Sequence, residues 1–422
     1  MRSERTQLAT VIASVAALVA AAGVALSAEP TETDLEAGFA SFLEALARSE
    51  QALRESPSFA SDAERAGAYQ HLARSIKVSI ESGVLQDPDF PYFRIIDFWA
   101  RQGGDNPDQR YAFTPVRGGE AYRVWGHLGS ARRIELQLYA GQPWAGTGRS
   151  AGYLAFEDIA IAPDGTFSIR VGGEASDDSW LANPPDATEL FARQIYDEWN
   201  AADPGEIYID RVGWEGARKP LADAAQVAQQ LRAAAAELEK SATTWPVFVQ
   251  RRYVGAGPAN TMSGLIDTYA LGGVKGRWMA GGSFDLPPGK VLLIETWPTT
   301  AAYQAIQLTD LWFASLEYAN QVSSLTTSQS IEAPNGAYYS VIAREDPGYA
   351  NWLDTGGLDR GVFLLRYDGV SGDVPKAQHP SAKLVDASAL PDLIPGYARV
   401  TEAEREATRA ARRRHVQIRN HR

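Results

Sequence analysis

The chain of 422 residues contains no cysteine, five histidines and three methionines. Without cysteine there are no disulfides, no thiol nucleophile and no thiolate metal site, so stability has to come from packing. The histidines, His71, His127, His379, His415 and His421, are scattered without ligand spacing, which argues against a histidine-rich metal centre. No Gly-x-Ser-x-Gly elbow, His-Glu-x-x-His pair or Walker loop occurs, so no motif points to a metal or cofactor. Excess basic charge is missing too: 40 Lys and Arg stand against 52 Asp and Glu, a net charge of -12. Binding a phosphate backbone needs a dense basic surface, so nucleic acid is excluded as a partner.

What is present is globular. A chain with 45% hydrophobic and 22% charged residues is long enough for two or three domains with sizeable cores. Aromatic residues are plentiful, 11 Trp, 17 Tyr and 14 Phe, and favour strands, large cores and stacking surfaces. One long apolar run occurs, Leu8 to Ala28, behind Arg2 and Arg5. Cleaved as a signal peptide (residues 1–28) or retained as an anchor, it predicts a periplasmic or secreted body whose only membrane contact is this segment.

Residues 31–86 read as a helical hairpin. Leu35, Phe39, Phe42, Leu46 and Leu53 keep helical spacing until Pro57, and the capping box Ser61-Asp-Ala-Glu64 starts a second helix with Tyr69, Leu72, Ile76 and Ile80 on one face. His71 falls beside that face and reads as structural. Across 87–216 the period changes to two, with strands at Tyr122–Gly126, Ile134–Tyr139, Tyr153–Glu157, Phe167–Val171 and Glu206–Asp210, the spacing of a sandwich or barrel. A helix over 217–245 joins a second strand-rich unit at 246–400, with strands at Gly276–Met279, Val291–Trp297, Tyr303–Leu308, Tyr338–Ala343 and Gly361–Tyr367. The fold class is mainly β (α+β): two sandwich units with added helices. Residues 401–422 form a basic helix carrying Arg405, Arg409, Arg412, Arg413, Arg414, Arg419 and Arg422. It reads as a solvated tail suited to the helix macrodipole, an anionic membrane surface being the sharper alternative.

The segment richest in special residues runs from Asp346 to Gly361, DPGYANWLDTGGLDRG. Turn chemistry at Asp346-Pro-Gly348 brings amide, indole, carboxylate and guanidinium groups into one loop. As a ligand site it would stack Trp352, Trp297 and Tyr349 on a sugar or another flat, partly apolar small molecule and orient it with Asn351, Asp354 and Arg360. As an active site it would pair Glu295, on the apolar strand Val291–Trp297, with Asp346 or Asp354 as acid and base of an exported hydrolase or lyase. A second polar loop at 103–111 offers Asn106 and Asp108 to a ligand, or folds on itself as an Asx turn.

Several of these segments together resemble a bacterial family known as domain of unknown function 1214. The similarity rests on Asp105-Asn-Pro-Asp108 with Tyr111, Tyr122-Arg-Val-Trp-Gly126, Asp164-Gly-Thr-Phe167, Glu206-Ile-Tyr-Ile-Asp-Arg-Val212, Leu286-Pro-Pro288, Leu293-Ile-Glu295, Ser323-Ser-Leu325 and Asp346 to Thr355 with Arg360-Gly361. The chain has Ser179-Trp180 where related sequences tend to show Asn-Trp. The resemblance implies two jelly-roll-like β-sandwich units; it carries no activity and no catalytic residue.

Overall fold

The structure, a computed structural model, describes residues 31–175, 179–199, 203–269 and 273–420. The expected leader or anchor at 1–28 lies outside them. Among the described residues no helix is long and apolar enough to cross a membrane.

Two helices open the chain, α1 (Thr31–Arg54) and α2 (Asp62–Ile80). The capping box that starts α2 forms as read, Ser61 Oγ accepting from Glu64 N and Glu64 Oε2 accepting from Ser61 N. The first sandwich follows: β1 (Arg94–Ile96), β2 (Gln109–Pro115), β3 (Tyr122–His127), β4 (Arg133–Ala140), β5 (Arg149–Leu154), β6 (Thr166–Val171), β7 (Trp180–Leu181), β8 (Glu189–Ile195) and β9 (Glu206–Arg211). They form a five-stranded sheet, β1-β2-β8-β4-β5, over a four-stranded sheet, β7-β6-β3-β9. Between the sheets lie Ile134, Leu136, Leu138 and Leu190 against Tyr122, Val124, Ile169 and Ile209, the inward half of each alternating strand.

Helix α3 (Ala224–Val249), capped by Asp223 and carrying Pro246, leads to the second unit through a π turn. Its strands are β10 (Ile266–Asp267), β11 (Trp278–Asp285), β12 (Lys290–Thr296), β13 (Tyr303–Thr309), β14 (Ser324–Thr326), β15 (Tyr338–Ala343), β16 (Trp352–Asp354), β17 (Arg360–Asp368) and β18 (Ser381–Asp386). The sheets are again five- and four-stranded, β10-β11-β17-β13-β14 and β16-β15-β12-β18, around Phe284, Leu292, Ile294, Leu308, Ile342 and Phe363. The short α4 (Leu390–Leu393) and the terminal α5 (Glu402–Asn420) complete the chain.

α1 and α2 meet as the expected hairpin, Tyr69 OH donating to Glu50 Oε1 at 2.7 Å. The chief packing partner of α1 is nevertheless α3. Small residues explain the choice. A side chain at Gly38 would come within 2.9 Å of the Ala228 carbonyl and one at Gly83 within 2.5 Å of Ala234 N, so glycine lets the first helical layer approach the alanine-rich face of α3. Arg48 with Glu239 at 2.6 Å and Arg232 with Asp34 at 2.8 Å flank the contact.

The two sandwiches meet through a polar layer. Arg277 holds Asp368 with two bonds of 2.5 and 2.7 Å, Arg366 donates to Gln307 and to the Gly104 carbonyl, and Gln307 donates to Asp105 O at 2.7 Å. All these side chains are buried, and buried charge persists only where it is paired or hydrogen-bonded.

Candidate functional site

The Asp346–Gly361 loop is closed in on itself and on α5. Asp346 Oδ1 accepts from Gly348 N at 2.8 Å, and both its carboxylate oxygens accept from Arg405, each at 2.9 Å. Arg405 also donates to the carbonyls of Ala350 and Tyr349. Asn351 bonds the Ile331 backbone at both its amide and its oxygen and reaches Tyr397. Trp352 is buried, its indole N–H donating to Ala343 O at 3.0 Å, and Tyr349 is buried with Arg399 stacked 3.8 Å from its ring centre. Asp354 Oδ1 accepts from Gly356 N at 2.8 Å, and burial pushes its pKa up. Expected as a stacking and orienting surface, Tyr349, Asn351 and Trp352 are corrected to packing and hydrogen-bonding parts of a corner. The expected tail is corrected with them, since Arg405, Arg412 and Arg419 are buried. Arg412 donates to Tyr318 O, Ser324 O and Ser324 Oγ at 2.9 to 3.1 Å and lies 4.0 Å over Trp199.

The expected pairing of Glu295 with Asp354 does not assemble, and Asp346, the other expected partner, has both carboxylate oxygens held by Arg405. Glu295 on β12 stands opposite Tyr339 of β15, whereas Asp354 on β16 stands beside Ala343 of that strand, four residues on. At about 3.3 Å per residue and about 4.8 Å per strand, the positions are roughly 16 Å apart. Two carboxyls acting on one glycosidic bond lie about 5 to 9.5 Å apart. Glu295 is half-buried and accepts from Tyr339 OH at 3.3 Å and Ser381 Oγ at 3.4 Å. Trp297 follows at the same end of the strand, away from Trp352, its carbonyl accepting from Gln304.

Asn106 and Asp108 are likewise removed from any ligand path. Asn106 Oδ1 accepts from Asp108 N at 3.0 Å, the Asx turn foreseen as the alternative. Asn106 Nδ2 donates to Tyr303 OH, which donates to Asp108 Oδ2 at 2.6 Å, and Trp199 Nε1 donates to Asp108 Oδ1 at 2.9 Å. Burial lifts the Asp108 carboxyl to about 6, against the opposing pull of the Tyr303 hydrogen bond. The motif ties the first sandwich to the second.

An open, chemically mixed surface lies elsewhere, on the outer face of the four-stranded sheet of the first sandwich. β3 pairs with β6 on one side and β9 on the other, so register sets nine outward residues in three rows. Trp125 stands between Ser168 and Tyr208; Arg123 lies between Arg170 and Asp210, and His127 between Thr166 and Glu206. Trp125 and Tyr208 have ring centres 4.6 Å apart at an interplanar angle of 35°. Tyr208 is 42% exposed, a large value for an aromatic residue on a sheet. The Trp125 indole N–H donates to Asp210 Oδ2 at 2.6 Å, and Arg123, 5.6 Å over the Trp125 ring, donates to Ser168 Oγ at 3.0 Å. His127 Nε2 lies 2.7 Å from the Asp164 carbonyl and its Nδ1 accepts from Gly129 N at 3.1 Å, which puts the proton on Nε2. The loop 160–162 raises one wall, making a groove of about 640 Å³. A rigid aromatic floor with donors and acceptors on both sides can hold a flat ligand by stacking and by hydrogen bonds to its edges.

These residues were not singled out as a site from the sequence, although the signal was there. In Tyr122-Arg-Val-Trp the alternation that sends Tyr122 and Val124 inward sends Trp125 outward among polar residues.

No family model matches the chain, and no curated protein does. Among solved structures, an uncharacterised protein from Burkholderia cenocepacia aligns over 85% of this chain and 99% of its own, with 25% identity and a TM-score of 0.76. The VPA0106 protein from Vibrio parahaemolyticus aligns over 76% of this chain and 98% of its own at 12% identity and a TM-score of 0.39. The first likeness supports the same two-sandwich architecture, and neither name carries an activity.

Proposed function

We propose that the protein is an exported binding protein of the cell envelope that holds a sugar on the Trp125–Tyr208 face. The observation that carries this reading is the aromatic pair lying open at the centre of the nine-residue face. Sugar rings present apolar C–H faces and hydroxyl edges; the indole and phenol suit the faces, while Arg123, Ser168 and Thr166 suit the edges. Export rests on the Arg2–Ala28 segment, and kinship with the domain of unknown function 1214 family on the sequence motifs. The reading as a hydrolase or lyase is not taken up, because Glu295 stands roughly 16 Å from Asp354 and both carboxylate oxygens of Asp346 are held by Arg405.

The test is calorimetric titration of the mature protein with gluco-, chito- and xylo-tetraose, beside Tyr208→Ala. Binding by at least one glycan, weakened by about tenfold in the variant, is expected. Equal binding by both proteins, or none by the parent, would refute the assignment.

A further inference from the structure

The β6-β3-β9 face continues into β7, and one of its rows carries a charge arrangement that the sheet itself does not favour. β6 pairs with β7 in parallel, Arg170 beside Trp180, so the row runs Trp180, Arg170, Arg123, Asp210. Leu181 enters the core between the sheets, which turns Trp180 outward with the arginines. Arg170 and Arg123 stand directly opposite each other across an antiparallel pair, and both are exposed. Cβ atoms so placed are about 5 Å apart, and like charges there repel. Neither arginine is neutralised. Arg170 makes no side-chain hydrogen bond or ion pair among the described residues. Arg123 donates from Nε to Ser168 Oγ at 3.0 Å, and both its Nη groups are left without a partner among the described residues. Asp210 lies on the side of Arg123 away from Arg170; its Oδ2 accepts from the Trp125 indole at 2.6 Å, and it forms no ion pair with Arg123.

We infer that this face recognises an acidic sugar, the carboxylate of a uronic acid residue lying between Arg123 and Arg170 while neighbouring rings lie on Trp125 and Tyr208; the inference rests on the sugar-holding role proposed above. A carboxylate accepts two parallel bonds from one guanidinium and can bridge to a second, so it would relieve the repulsion between the two arginines. A neutral sugar offers hydroxyls only and leaves that repulsion in place. Trp180 extends the apolar surface beyond Arg170. Ser179 Oγ, accepting from Ala160 N at 2.8 Å, ties this end of the face to the loop that walls the groove. The net charge of -12 does not oppose an acidic ligand here, because at physiological salt exposed charges farther off than about 8 Å are largely screened. Glu206 is one of these, since it stands opposite His127, four residues along β3 from Arg123 and therefore about 13 Å away.

Calorimetric titration of the mature protein tests it, comparing gluco-, chito- and xylo-tetraose with the tetramers of glucuronic, galacturonic and mannuronic acid, beside Arg170→Gln and Arg170→Lys. At low salt at least one uronic tetramer is expected to bind about tenfold more tightly than the best neutral one, and the margin to narrow as salt is raised. Arg170→Gln should remove the margin and Arg170→Lys keep part of it, since lysine retains the charge but not the planar fork. Arg170 is exposed and unbonded, so both variants are expected to fold with the melting temperature of the parent. The inference is overturned if no uronic tetramer exceeds the best neutral one, or if Arg170→Gln keeps the margin; binding of a neutral tetramer in either case leaves the sugar-holding face intact. If no tetramer of either class binds, the face itself is refuted and the inference falls with it.

Discussion

The Asp346–Gly361 loop and the β6-β3-β9 face hold similar inventories, each with two aromatic rings, carboxylates, arginine and hydrogen-bonding side chains, yet they are used in opposite ways. In the loop most polar groups already have a partner within the fold: Asp346 with Arg405, Asn351 with Ile331 and Tyr397, Arg360 with Glu64. On the face the same chemistry lines an open groove, with Tyr208 nearly half exposed. Residue types alone therefore do not mark a site. What distinguishes the face is that its side chains, although bonded to one another, still line an open groove.

The contrast can be broken most forcefully at Trp352. Replacing this buried ring by alanine is expected to cost about 3–5 kcal/mol of stability, read from urea midpoints, while the protein that remains folded keeps its glycan affinity. A loss of binding at unchanged stability would instead return the site to the loop. Arg412→Ala comes next, at about 2–4 kcal/mol, because it strips three bonds from buried acceptors and the cover from Trp199. Were α5 a solvated tail, the same change would stay within about 0.5 kcal/mol.

A smaller effect separates buried from open groups by pH. His71 is wholly buried, donates from Nε2 to Ala242 O at 3.0 Å, and burial drops its pKa to about 4 from 6.5. The unfolded chain takes up the proton first, so this histidine contributes nothing to pH dependence above 6.5 and destabilises progressively as pH falls toward 4. Between pH 7 and 5 the loss is about 2 kcal/mol, and His71→Gln should remove it; a variant with the same pH slope as the parent would disprove the buried neutral state. Smallest of all in stability is Tyr208→Ala, expected within about 0.5 kcal/mol of the parent yet losing about 1–2 kcal/mol of glycan binding. That inversion of the Trp352 result is the sharpest form of the comparison.

Much of the fold was legible because local physics decided it. The Ser61–Glu64 box, the alternation through Tyr122–Gly126 and the helical spacing of α1 all appear where the sequence places them. β2 escaped notice as a strand because it is buried on both faces and Gln109, Arg110 and Thr114 break its apolar pattern. The strand expected at Gly276–Met279 runs instead over Trp278–Asp285, where two glycines and a serine hid its apolar face. The candidate site was misplaced for a different reason. Partners such as Arg405 for Asp346 lie 59 residues away, and Asn106 meets Tyr303 across 197; no local pattern shows that a rich loop is already engaged. The basic helix misled likewise, since arginines that cover tryptophan and bond carbonyls look no different in sequence from solvated ones.

The most direct test of the central claim is fluorine NMR on protein labelled with 5-fluorotryptophan, with the resonances of Trp125 and Trp352 assigned through their phenylalanine variants. On titration with gluco-, chito- and xylo-tetraose, the Trp125 resonance is predicted to move saturably with at least one glycan while that of Trp352 stays fixed. Movement at Trp352 with Trp125 unchanged, or no movement at either with any of the three, would contradict it.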